Sequence, residues 1–227
     1  MNAPTPHEDL PAAARLGRLL PLAGVGFAVL TVAGDLTIDK FPDSNTPVAK
    51  LTQYYATHHH QVGVGGTLLA WAAILLGLFG VALWARVRSS DLHPAVAGAV
   101  LLGAAVATAN ELTGASAYIT LGTIGHQAGV APAALQAWHI SGSEGSVGST
   151  MILLVAVGVA GILSRAIPRW LAWPALLLGI VQISPVGFFA SLLTLVWAAA
   201  TGIVLVLRPS GARRAATTRQ LAGSVAA

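Results

Sequence analysis

Glu111 is the only acidic residue well inside an apolar run of this sequence, standing in Pro94–Leu121 with Asn110, Thr113, Ser116 and Tyr118 around it. A charged side chain within a bilayer costs at least about 2.5–3.5 kcal/mol on insertion scales, so an intramembrane carboxylate marks a functional site by default. Two readings follow: a group that exchanges protons or binds a cation, or an interface residue wetted or bonded to a neighbouring helix. Other titratable groups fall at the ends of apolar runs that would bring them to the same level. Asp35 and Asp39 close the first run, His58-His59-His60 opens the second, and His126, His139 and Glu144 precede the fourth. Asp, Glu and His serve both proton relays and zinc, copper or nickel sites. The candidate polar pocket is therefore Glu111, Asp35, His59, Tyr118, His139 and Glu144.

Spacing limits the chemistry. The sequence has no His-x-x-x-His and no His-Glu-x-x-His, and consecutive histidines on a helix project about 100° apart, so one or two of the three can face a common partner. Ser141-Gly142-Ser143-Glu144 fits a capping box that would open the next span, which makes Glu144 a cap before a ligand. Asp35 read structurally ends its span at the interface, and His93 before Pro94 is a loop residue. With no cysteine, the chain has no disulfide, thiolate nucleophile or zinc–thiolate site. No phosphate-binding glycine loop or Gly-x-Ser-x-Gly elbow is present, and Ser143 and Ser146 beside His139 have no spacing that demands a triad. Haem would need imidazoles on facing helices, which only the outer rim could supply. Metal and cofactor stay open.

The elements that must position these residues follow from composition. The chain is 55% hydrophobic and only 9% charged, with mean hydropathy +0.74, against roughly a quarter charged in soluble domains. Uncharged runs cover Leu19–Gly34, Leu51–Ala85, Leu92–Asn110, Gly145–Ser164 and Trp170–Leu207. The last would form a rod of about 57 Å, too long for one crossing of about 30 Å and suited to two, with a tight hairpin at Ser184-Pro185-Val186-Gly187. The expectation is an all-α integral membrane bundle of six transmembrane helices, about 19–36, 62–85, 94–121, 146–163, 170–184 and 188–207. Every arginine then falls on one side and only Lys40 and Lys50 on the other, which puts both termini in the cytoplasm. Residues 1–18 form a cytoplasmic N-terminal segment. Residues 208–227 form a basic cytoplasmic tail expected to be disordered on anionic lipid. The basic pI of about 10.1 reflects sidedness here, and no nucleic-acid partner is expected. Thr31-Val32-Ala33 loosely fits a signal-peptide cleavage site, but with an apolar protein following, an uncleaved anchor is the preferred reading.

The outer connections are the longer ones. Pro47, Leu51, Tyr54 and His58 suggest a short interfacial helix, and Pro132, Leu135, Trp138 and His139 suggest a second, as if two hairpin units were related. Glycine numbers 25 of 227, and Ala95, Ala99, Gly103, Ala107, Glu111 and Ala115 recur at four-residue steps, a packing face that would turn Glu111 into the bundle.

The segments Gln53-Tyr54-Tyr55-Ala56-Thr57-His58, Ile167-Pro168-Arg169-Trp170-Leu171-Ala172-Trp173 and Ser184-Pro185-Val186-Gly187-Phe188-Phe189, followed by Leu195-Val196-Trp197, resemble a family of small multi-pass membrane proteins from high-GC, actinobacterial-type bacteria. The resemblance covers most of the chain outside the tails. It implies a helical bundle in the bacterial plasma (inner) membrane and carries no activity onto residues. The leading functional expectation is non-enzymatic: transport, sensing or membrane-complex assembly through a polar pocket open to the outside. Partners would be the lipid bilayer and another membrane protein or a second copy. The alternative is a metal- or haem-binding membrane enzyme using the outer Asp, Glu and His residues.

Overall fold

The structure is a computed structural model describing residues 17–38, 40–127, 129–144, 148–164, 166–184 and 186–208. Asp39, Ala128, residues 145–147, Arg165, Pro185, most of the expected N-terminal segment (1–16) and the expected basic tail (209–227) lie outside the described residues. Among the described residues all regular structure is helical, with no strand. A 3-10 turn (Leu20–Leu22) leads into α1 (Ala23–Thr37), followed by α2 (Val48–Arg88), α3 (Pro94–Ile124), α4 (Pro132–Glu144), α5 (Met151–Ser164), α6 (Arg169–Val181) and α7 (Gly187–Leu207). Among the described residues, Gly17–Thr37, Val48–Arg88, Pro94–Ile124 and Gly187–Leu207 are helices long and apolar enough to cross a membrane, while α5 and α6 are shorter apolar helices.

Two helix boundaries differ from expectation. The short interfacial helix at Val48 does not stand alone, because it runs without a break into the second apolar run as the 41-residue α2. That is a rod of about 61 Å, roughly twice a hydrocarbon core. Gly63, Gly65 and Gly66 do not interrupt it, and at two of them a neighbouring helix comes too close for a side chain: a Cβ at 66 would sit 2.8 Å from Tyr118 Cβ and one at 65 would sit 2.9 Å from Gly34 O, whereas one at 63 would make ordinary contact with Gly122 at 3.6 Å. Small residues at contacts let helix backbones approach, so these glycines serve packing. The second concerns Ser141–Glu144, which is the last turn of α4 and not the cap of the next helix. The next helix, α5, starts only at Met151, after a turn at 148–150.

The stripe along α3 is half as expected. Gly103, Ala107 and Ala115 are buried, whereas Ala95 and Ala99 are exposed and Ala97, Val100 and Ala104 take over the buried face. A four-residue step gains about 40° per repeat on a 100° helix, so a stripe of that step leaves the packing face within a few turns. His93 is more than a loop residue, because its Nδ1 accepts the Ala95 N–H at 3.2 Å and caps α3 ahead of Pro94.

One hydrophobic core joins Phe27 of α1, Phe79 and Leu83 of α2, Val100 of α3, Leu154 of α5 and Trp197 of α7. A smaller one, around Leu51, Tyr55, Val62, Leu121 and Leu135, supports the extensions of α2 and α3 together with α4. Arg86 ties one end of the molecule together. Its Nε donates to Ala166 O at 3.2 Å and its terminal nitrogen to Arg208 O at 2.7 Å, joining the end of α2 to the α5–α6 connection and the end of α7. The start of α1 lies toward this end, where a Cβ at Gly202 would meet Pro21 O at 2.5 Å and one at Gly24 would meet Ala198 O at 2.7 Å. Helices α1 and α7 therefore touch along their Arg-proximal halves.

Candidate functional site

Toward the opposite end, a cavity of about 440 Å³ lies among α1, α2, α3, α4, α7 and the turn that precedes α5. Thr31 and Asp35 face it from α1, Glu111 and Tyr118 from α3, and Ser191 and Thr194 from α7. The turn before α5 adds Ser149 and Thr150, and Phe27, Leu69, Phe188 and Leu195 supply apolar wall. Asp35 is exposed at the rim and Glu111 half-buried.

The turn before α5 sets the polar floor. Gly148 takes φ +77°, a left-handed conformation that favours glycine, and this turn carries Ser149 and Thr150 inward until they are 3% and 6% exposed. Ser149 Oγ–H donates to Glu111 Oε1 at 2.5 Å. Gln182, just past α6 and 3% exposed, holds two of the wall residues in place. Its Nε2 donates to Thr150 Oγ1 at 2.8 Å and to Thr194 Oγ1 at 3.2 Å. Thr194 spends its own hydroxyl proton on Ala190 O at 2.8 Å and so must accept from the amide, which fixes the amide's orientation. Gln182 Oε1 is left buried with no partner.

His139 stands in a separate cage. It is fully buried, with Nε2 3.0 Å from Asp43 O and Nδ1 2.8 Å from Tyr55 Oη. A carbonyl only accepts, so Nε2 carries the proton; Nδ1 of the neutral ring then accepts the Tyr55 hydroxyl. Phe41 stacks on the ring at 4.8 Å and meets Tyr118 edge-on at 5.1 Å, making Tyr118 the shared wall between cage and cavity. Tyr54 Oη–H donates to Ile38 O at 2.8 Å and holds the α1–α2 connection to the same cage. His59 stacks on His126 at 4.2 Å, away from both, with its Nδ1 buried and unpartnered.

Of the sequence candidates, Asp35, Glu111 and Tyr118 thus share one cavity. His59 and His139 do not line it, and the side chain of Glu144 lies outside what the structure describes. Among the described residues no three His, Asp or Glu converge as a metal-ligand group, so the outer cluster is dispersed over a cavity, a cage and a histidine pair. Sequence reasoning missed Ser149, Thr150, Gln182 and Thr194. A signal existed for one of them, since Gln182 is the lone amide in the uncharged run Trp170–Leu207. No known protein family, curated protein or solved structure matches the chain.

Proposed function

We propose that this chain is a six-span protein of the bacterial plasma membrane, with both termini cytoplasmic, that binds a small solute in a pocket open to the outside and serves transport, sensing or membrane-complex assembly. The observation that carries this reading is the shortness of α5 and α6. At 14 and 13 residues they reach about 20 Å, well under a hydrocarbon core of about 30 Å. Their outer ends are the polar turns that carry Ser149, Thr150 and Gln182, and these turns adjoin the cavity. Irregular, polar backbone at membrane depth is tolerated where it is buried in protein or lines a water-filled cavity. Helices that stop short at a polar cavity fit a site reached by water from one side.

Sidedness rests on charge. Arg86, Arg169 and Arg208 gather at the end opposite the cavity, and Lys40 and Lys50 lie beyond it, the asymmetry of an inside and an outside face. Reporter fusions after Arg88 and Ile167 are expected to report cytoplasm, and fusions after Asn45, Gly129 and Gly187 to report the exterior. A cytoplasmic signal at Gly187 would overturn the six-span arrangement.

A further inference from the structure

We infer that the cavity binds an organic cation, an amine carried on an apolar body, with the ammonium between Asp35 and Glu111 and the body against Phe27, Phe188 and Tyr118; this rests on the pocket reading above. The cavity offers acceptors and almost no cationic donors. Asp35 and Glu111 both face it, while among the described residues no Lys, Arg or His lines it. Among the described residues the donor to Glu111 is the Ser149 hydroxyl, which cannot neutralise a carboxylate. A carboxylate half-buried beside apolar wall favours a positive charge or a proton, and among the described residues no cationic side chain lines the cavity to supply the charge.

The second observation is independent of the acids. Gln182 is almost wholly buried against Thr150 and Thr194, both wall residues, with its amide hydrogens committed to them and Oε1 without a donor. Gln182 is not itself among the residues that line the cavity; what it fixes is the polar character of the wall at Thr150 and Thr194. Shape chooses between a bare ion and an organic one. A volume of about 440 Å³ lies in the range of small-molecule pockets and is far larger than one ion needs. Much of the wall is aromatic and aliphatic, where a hard cation finds no oxygen but a hydrocarbon body and a cation over a ring face are both favoured.

The test uses full-length protein in lipid nanodiscs with Ser191→Cys as the only thiol, since the natural chain has no cysteine. Alkylation of Cys at 191 is followed with benzylamine, benzyl alcohol or benzoate present, with sodium chloride as the ionic control. Benzylamine at about ten times its Kd is expected to slow alkylation about tenfold, as the free fraction falls to about a tenth. Benzyl alcohol, benzoate and sodium are expected to leave the rate unchanged. Adding Glu111→Gln should abolish the protection while keeping the melting temperature within a few degrees, and Asp35→Asn should weaken it. Should the Glu111→Gln protein not fold, the comparison of amine with alcohol in the Ser191→Cys protein decides alone. Protection by benzyl alcohol or benzoate equal to that by benzylamine, or by sodium alone, would overturn the organic cation and leave the pocket standing. Ready alkylation that no probe slows would also overturn it. A thiol that no reagent reaches would remove the pocket itself.

Discussion

At the scale of single residues, buried polar groups here are read from what they touch. His139 was a pocket candidate in the sequence, and its chemistry is instead that of a structural pin, satisfied at both nitrogens by Asp43 O and Tyr55. Tyr55→Phe removes the donor and leaves a buried imidazole nitrogen unpaired, an expected loss of about 1–3 kcal/mol seen as a lower melting temperature, with the cavity's ligand binding unchanged. Unaltered stability would show that the cage is not a support for the outer end. Glu111 was legible because an acid in an apolar run is rare. Ser149 and Thr150 were not, because a hydroxyl in a glycine-rich turn looks the same whether it faces water or a carboxylate. Only the turn at Gly148 decides which way they point.

At the scale of helices, small residues mark where two backbones meet. A Cβ at Gly122 would collide with the backbone of Gly63 across the α2–α3 contact, whereas one at Gly98 meets nothing within 4 Å. Gly122→Leu is therefore expected to lose several kcal/mol or fail to fold. Gly98→Ala should be neutral or stabilising by up to about 1 kcal/mol, since glycine is the poorer helix former. Thermal unfolding of the two purified variants checks the contrast, and equal effects would refute it. The same glycines explain where the sequence misled. The interfacial helix expected around Pro47–His58 and the span expected over about 62–85 are one helix, and neighbouring helices pack closely on α2 at Gly65 and Gly66. Ser141–Glu144 carries a capping pattern, but Gly142 packs against the Tyr118 ring, with a Cβ there 3.1 Å from it, so packing keeps these residues in α4. Local signals name a helix end; tertiary contacts decide which helix it ends.

At the scale of the molecule, the distribution of charge and the lengths of apolar runs carried the architecture. All-helical structure and the long apolar helices were legible, as was the tight connection ahead of Gly187, whose N–H donates to Ser184 O at 2.8 Å. The divergence of α1 from α7 was not. It depends on Gly24 and Gly202 drawing the two helices together at one end, while Thr31, Asp35, Ser191 and Thr194 line the space between them at the other. The central claim is that this space opens to the exterior. The most direct measurement is labelling of Ser191→Cys in intact cells by a membrane-impermeant thiol reagent, with Ser90→Cys at the Arg-rich end as the opposite marker. The account predicts that Cys at 191 is modified from outside and Cys at 90 only after the cells are opened; modification of Cys at 90 in intact cells with Cys at 191 protected would contradict it.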